Sequence, residues 1–258
     1  MKRGNNIVAI LICTALYILL TCAPGFASGL SVLCYHQIAP DADNDMTTTP
    51  ALFESHMKYL HDHGYTPVSA EEAVLFLKGG RISAARPVLI TFDDGYDGIY
   101  RYAFPVMKRY KYPAIVFLVV SKITDSGTSH HLTWRQLDEM SKSGLLAAGS
   151  HTYSLHVKIP EELCSGIITA EKLSKDLALS RQSIKKHIGT DTRSFAWPYG
   201  HYDDRTLAIA EKAGFTAIFT TDYGANHAGD GSLKIRRIRL SSSYDTVDRL
   251  KEKLEQFQ

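Results

Sequence analysis

The sequence predicts an α/β fold, a closed or nearly closed barrel of parallel strands, and three observations carry the prediction. Strand-like and helix-like segments alternate about seven times along the chain, and such alternation builds a mostly parallel sheet. Several strand-like segments are apolar nearly throughout, as strands covered on both faces are. No glycine fingerprint for a dinucleotide follows any of them, so an open doubly wound sheet is less favoured, and Ser28 to Gln258 is long enough for one barrel.

Residues 1–27 are set apart from the fold. Lys2 and Arg3 open the segment, Ile7 to Cys22 is almost wholly apolar, and Gly25-Phe26-Ala27 offers small residues at a cleavage point. That is the layout of a secretory signal. The apolar run also approaches the length of a membrane span, and Leu19-Leu20-Thr21-Cys22 faintly resembles a lipidation signal. A cleaved leader, a lipidated one and a retained anchor all stay open. Each implies a secreted or cell-envelope, extracytoplasmic protein whose folded domain is residues 28–258, with membrane or cell-wall association through the N-terminal segment. The net charge of +2 reflects 29 basic and 27 acidic residues. Lys2 and Arg3 account for the excess, so the rest of the chain is formally neutral and nothing points to nucleic acid. Of four cysteines, Cys13 and Cys22 lie in the leader. Cys34 sits in an apolar strand as a small hydrophobe, and whether it pairs with Cys164 is open.

The elements follow in order. Leu30 to Tyr35 reads as a buried strand ending at His36, and Asp41 to Met46 as a polar loop. Thr49-Pro50 opens a helix, with threonine at the cap and proline where no donor is lost. Phe53, Met57 and Leu60 give its apolar face and Gly64 ends it. Ser69-Ala70-Glu71-Glu72 is a capping box for a second helix. Val88 to Gly95 is the central strand, delivering Asp93 and Asp94 at its carboxyl end. Ile99 to Tyr110 reads as a helix in which Pro105 predicts a kink or early break. Ala114 to Val120 is a strand, Thr133-Trp134-Arg135-Gln136 a capping box, and Leu146 to Ser150 a strand running into His151. Ala170 to His187 is a long helix, Ser194 to Trp197 a strand, Asp204 to Ala213 a helix. Thr216 to Thr220 and Lys234 to Leu240 are strands, and Thr246 to Phe257 is the closing helix.

Four clusters sit just after predicted strands: His36, the pair Asp93 and Asp94, the pair His151 and His156, and Pro198-Tyr199-Gly200. A parallel barrel opens all its strand carboxyl ends on one face, where enzymes of this architecture build their sites. Adjacent ionised carboxylates repel, and removing both from water needs a compensating cation or donor. An Asp-Gly turn in a hairpin is the plain alternative, but the segment after it reads as helix. His151 and His156, five apart, share no face of one helix or strand, yet can converge from a strand end into a loop. With a carboxylate from a neighbouring strand they form a two-His, one-Asp site with open positions. Zinc is the first expectation, and ferrous iron uses the same donor set.

Thr91-Phe92-Asp93-Asp94-Gly95, Ser150-His151-Thr152 with His156, and Trp197-Pro198-Tyr199-Gly200 resemble the motifs of the polysaccharide deacetylase (NodB-homology) family. Cys34-Tyr35-His36-Gln37 resembles its circularly permuted branch, which includes deacetylases of poly-N-acetylglucosamine. The resemblance implies a distorted (β/α) barrel of about seven parallel strands as a single domain. It implies one divalent metal, zinc first with Co2+, Ni2+ or Fe2+ as alternatives, held by Asp94, His151 and His156. It implies Asp93 as general base, His36 as general acid and the Tyr199 N–H as an oxyanion donor. Many members carry an arginine where this chain has Ala196, and the permuted branch implies Arg237 in its place. The basic pair Arg236-Arg237 reads by itself as a solvated strand edge. Trp134, Trp197 and Tyr199 are candidates to stack on sugar rings, with core packing as the alternative. His130 and His131 are expected at the surface, and His56, His61 and His63 are left out of the site.

The function implied is hydrolysis of N-acetyl groups from an N-acetylglucosamine polysaccharide, with acetate released and an N-acetylated glycan as partner. Another metal-assisted amide or ester hydrolysis, or a silent glycan-binding domain, are the alternatives. The sequence leaves the polymer and the oligomeric state undetermined.

Overall fold

The computed structural model describes residues 29–41, 44–126, 130–242 and 244–257, so the expected leader lies outside the described residues. Seven strands form a curled parallel sheet: β1 (Ser31–Tyr35), β2 (Pro87–Phe92), β3 (Ala114–Leu118), β4 (Leu146–Ser150), β5 (Ser194–Ala196), β6 (Ala217–Phe219) and β7 (Ile238–Arg239). Their order is β7-β1-β2-β3-β4-β5-β6, with the two-residue strand Thr66–Pro67 added against β2. In-register pairing runs from Ser31 opposite Val88 to Tyr35 opposite Phe92, and from Ala114 opposite Leu146 to Leu118 opposite Ser150. The margins meet just before β7. There Ile235 bridges Phe219 in parallel, with its N–H on Ile218 O at 2.8 Å and its carbonyl taking Thr220 N–H at 2.9 Å. The expected strand Lys234 to Leu240 is therefore shared between two neighbours. Ile235 pairs with β6 while Ile238 and Arg239 pair with β1, which shortens the regular ladder to two residues.

Period-two alternation divides the strands' side chains between two environments. On β2, Val88, Ile90 and Phe92 pack outward with Phe53 and Met57 of α1 (Pro50–Asp62). Leu89 turns inward to meet Val32, Ile115, Phe117, Phe219 and Ile235. The amino end of the barrel is plugged by α2 (Ala70–Leu77), whose Ala73, Phe76 and Leu77 join that inner cluster. Burying Phe76 and Leu77 there contributes roughly 1.5–3 kcal/mol each.

Local chemistry explains the helix starts. Thr49 Oγ1 accepts Leu52 N–H at 3.3 Å, and Ser69 and Thr133 form reciprocal capping boxes with Glu72 and Gln136. The expected break near Pro105 takes the form of a π-helical turn, Ile99–Ala103, ahead of α3 (Phe104–Tyr110). Pro105 then follows as the second residue of α3, directly after the π-helical turn, whose wider i→i−5 bonding begins with Phe104 N–H on Ile99 O. The remaining helices are α4 (Trp134–Lys142), α5 (Ile159–Cys164), α6 (Ala170–Ile188), α7 (Asp204–Lys212) and α8 (Val247–Glu255). Cys34 is buried, Cys164 is exposed, and both are free thiols.

His56 of α1 belongs to the core. Tyr35 Oη donates to its Nδ1 at 3.0 Å, and its Nε2–H donates to Asp245 O at 2.9 Å. The Asp245 carboxylate accepts Ser241 N–H at 2.8 Å and pairs with Lys253. Of the other histidines set aside, His61 sits 3.2 Å from Asp62 and His63 stacks on Tyr59.

Candidate metal centre and active site

The inward parity of β2 carries past its end. Asp93 N–H bonds Tyr35 O at 2.9 Å, extending the ladder by one residue and turning the Asp93 side chain toward the barrel axis, 2% exposed. Inward parity on β1 brings Cys34 and His36 to the same level. Arg237, only 1% exposed, completes the cluster. Its guanidinium grips Asp93 with two parallel bonds, Nη1 to Oδ1 at 2.7 Å and Nη2 to Oδ2 at 2.8 Å. Nε donates to Thr220 O at 2.7 Å, and the guanidinium carbon lies 5.7 Å from the centre of the Phe117 ring. Burial pushes the Asp93 carboxyl up, but the adjacent Arg237 outweighs it and holds Asp93 below the usual carboxylate range. The Cys34 thiol, raised far by burial, stays protonated and sits 3.7 Å from Asp93 Oδ2. Cys34, His36 and Asp93 are close enough to share an ion. Their chemistry opposes it, because Arg237 already occupies both Asp93 oxygens and the thiol keeps its proton.

Beyond Asp93 the backbone reverses through two left-handed residues, Asp94 (φ 70°) and Gly95 (φ 73°). Aspartate tolerates that region better than most residues, and the turn keeps both carboxylates at the mouth. Thr152 (φ 79°) makes a similar reversal after β4, which is how two histidines five apart come to face one point. Asp176 of α6 fixes the loop, its Oδ1 accepting Tyr153 N–H at 2.7 Å and its Oδ2 accepting Ser154 N–H and Oγ–H at 2.9 Å. His151 Nδ1 lies 2.7 Å from Ala196 O. A carbonyl only accepts, so Nδ1 carries the proton and Nε2 presents its lone pair to the site. Burial lowers the His151 pKa, which favours that neutral form.

Asp94 Oδ1, His151 Nε2 and His156 Nε2 converge, the nitrogens at 3.7 Å and 3.1 Å from the oxygen. All three donor atoms lie within 4.8 Å of one another. Asp94 Oδ1 is buried and accepts no hydrogen bond of good geometry. Buried acceptors aimed at one point are costly without a cation between them. The set therefore fits a divalent metal in type, number and neutrality of the imidazoles. Burial raises Asp94, while His156, His151 and His36 more than reverse this and hold it well below the ordinary range.

His36 is buried on the other flank, its Nδ1 without a hydrogen-bond partner, and burial lowers its pKa against the pull of Asp93 and Asp94. Tyr199 closes the ring of residues. Its backbone is left-handed (φ 58°, ψ 5°), a strained state for a bulky residue. Among the described residues its N–H donates to no acceptor. Its ring, 54% exposed, lies 4.9 Å from that of His156. Together these residues line a cleft of about 500 Å³, large enough for a sugar unit, with Met46, Lys158, His201, Thr221 and Arg239 as further walls. Arg237 lies beneath the floor, behind Asp93.

The sequence pattern of the family described as polysaccharide deacetylase matches residues 81–218. This chain belongs to the polysaccharide deacetylase family. YxkH of Bacillus subtilis (strain 168), a protein named provisionally as a polysaccharide deacetylase, is 34% identical over 212 residues, covering 82% of this chain and 71% of its own. The poly-β-1,6-N-acetyl-D-glucosamine N-deacetylase of Staphylococcus aureus (strain MSSA476) is 30% identical over 194 residues, or 73% of this deacetylase chain and 66% of the relative. The solved structure of IcaB from Ammonifex degensii superposes with a TM-score of 0.77 at 29% identity, covering 90% of this chain and all of that one.

Each residue singled out from the sequence has a definite place. His36, Asp93, Asp94, His151, His156 and Tyr199 line one cleft, and Arg237 supports it. The tryptophans do not join them. Trp197 is fully buried, edge-on to Phe195 at 4.6 Å, and Trp134 is buried face-to-face with His187 at 4.1 Å, so both are packing residues. His130 is exposed as expected, but His131 is half-buried and stacks on Tyr96 at 5.0 Å. Asp176, Lys158, His201 and Arg239 escaped the sequence reading. None belongs to a motif, and only the chain's return through space brings them to the site.

Proposed function

We propose that this protein is a metal-dependent N-deacetylase of an N-acetylglucosamine polysaccharide, exported by its N-terminal segment, with residues 28–258 as the catalytic domain. The convergence of Asp94, His151 and His156 beside an Asp93 clamped by Arg237 carries the reading. The poly-N-acetylglucosamine deacetylase among the relatives supports the substrate class, and the apolar leader supports an extracytoplasmic location.

A divalent ion held by Asp94, His151 and His156, with zinc the first candidate, supplies Lewis-acid activation at the acetyl carbonyl and at water. The chain's own residues do the rest. Asp93, kept ionised and aimed by Arg237, takes a proton from the attacking water. The oxyanion that forms at the carbonyl carbon accepts the free Tyr199 N–H; a single such donor is typically worth roughly 10²–10³ in rate. His36 gives a proton to the nitrogen as the C–N bond breaks, a contribution on the order of 10²–10⁴, and the proton that Asp93 took from water restores it. Acetate and a glucosamine unit leave. Tyr199 is the exposed aromatic at the mouth positioned to stack on the sugar.

The test is acetate release from β-1,6-linked N-acetylglucosamine oligomers by the full chain. Release should stop on chelation and return with zinc, cobalt or nickel. A metal-replete protein that liberates no acetate from this polymer, from chitin oligomers or from peptidoglycan would overturn the proposal.

A further inference from the structure

Two cations on the cleft wall have no role in the chemistry above. Lys158 lies in the stretch after β4, and Arg239 ends β7. In the strand order these positions are three steps apart through β5 and β6, and four through β1, β2 and β3, so they face each other across the mouth. Both side chains are exposed, and among the described residues neither has an ion-pair partner. The nearby acids are differently placed. Glu161 bonds His201 Nδ1 at 2.7 Å and feels the Lys158 charge without forming an ion pair with it, and Asp222 accepts Tyr202 Oη–H at 2.8 Å. Asp41 and Asp45 are exposed but do not line the cleft. The carboxylates that do line it are Asp93, neutralised by Arg237, and Asp94 of the candidate metal centre.

We propose that Lys158 and Arg239 read the charge of the units flanking the scissile acetamide, favouring N-acetylglucosamine next to an anionic group and disfavouring it next to a free amine. The inference rests on the deacetylase reading and narrows its substrate class to anionic glycans. It has a second consequence. Each turnover leaves an ammonium on the polymer, and two unpaired cations repel it when the neighbouring unit is offered. Deacetylation of a neutral chain is therefore biased away from units next to one already deacetylated.

The test uses four oligosaccharides that share one N-acetylglucosamine target and differ in the flank: neutral N-acetylglucosamine, a carboxylate-bearing sugar, a phosphorylated sugar, and glucosamine. Both Kd and acetate release are measured with the metal-replete full chain. At low salt the anionic flanks should lead the neutral one and the amine should trail, with steps of roughly two- to fivefold for exposed charges. A lead by the carboxylate alone or the phosphate alone supports the proposal and names the source of the anion. The ordering should flatten in 0.5 M salt, where the screening length is about 4 Å, and in Lys158→Gln/Arg239→Gln. Equal Kd values for all four, or an ordering that survives both salt and the double substitution, overturns it. If the Kd ordering holds but no acetate appears, the rim stands and the deacetylase reading falls.

Discussion

The Asp93–Arg237 pair gives the most direct check on how this site is built. Both groups are almost fully buried and joined by two bonds of 2.7 Å and 2.8 Å. Removing one partner leaves the other charge buried without compensation, a loss of about 3–5 kcal/mol. Arg237→Met should therefore lower the midpoint of thermal unfolding by roughly 6–20 °C, at about 2–4 °C per kcal/mol for a domain of this size. Asp93→Leu should cost a similar amount for the same reason. The double substitution removes both charges and should cost less than either single change. Bonds that Arg237 makes elsewhere, to Thr220 O and over Phe117, are lost in Arg237→Met and in the double variant alike, so the cycle cancels them. Urea unfolding at pH 7 of the four proteins supplies the assay, with a coupling of at least about 3 kcal/mol expected. Additive losses, agreeing within about 0.5 kcal/mol, would mean that the two charges do not depend on each other, and the account of an ionised, aimed base would fail.

Three further outcomes are expected. Zinc titrated calorimetrically into the metal-free protein should bind at one site, and Asp94→Ala or His156→Ala should weaken it by more than about 100-fold; retention of affinity would remove these residues as ligands. Asp176→Asn keeps one acceptor oxygen but puts an NH2 where the other accepts the N–H of Tyr153 or Ser154, so zinc affinity should fall about tenfold; lost stability with unchanged affinity would make Asp176 merely structural. Burial holds His56 neutral in the fold, lowering its pKa from 6.5 to about 4. Between those values the unfolded chain binds the extra proton, so the stabilisation is complete above pH 6.5 and declines as pH falls toward 4. The loss is roughly 3 kcal/mol, read as the difference between the pH 7 and pH 4 unfolding free energies of wild type and His56→Asn; no difference would place His56 outside the core network.

Much of this architecture is legible in the chain because it is written locally. Capping boxes at Ser69 and Thr133 and apolar strands such as Ala114–Leu118 are set by residues a few positions apart. What escapes is decided at long range. α5 has no side-chain cap at Lys158 and spans six residues, too few for a helical period to show. Arg236 and Arg237 look alike in sequence, yet their parity sends one outward to Asp230 and the other inward to Asp93. From the residues alone both read as a strand edge, and the resemblance to the permuted branch is what singled out Arg237. Both tryptophans had two readings, and only their neighbours, Phe195 and His187, decide for packing.

The plug that α2 makes with Phe76 and Leu77 gives the vessel a sealed bottom. Whatever reaches the floor of the cleft therefore leaves by the mouth through which it entered.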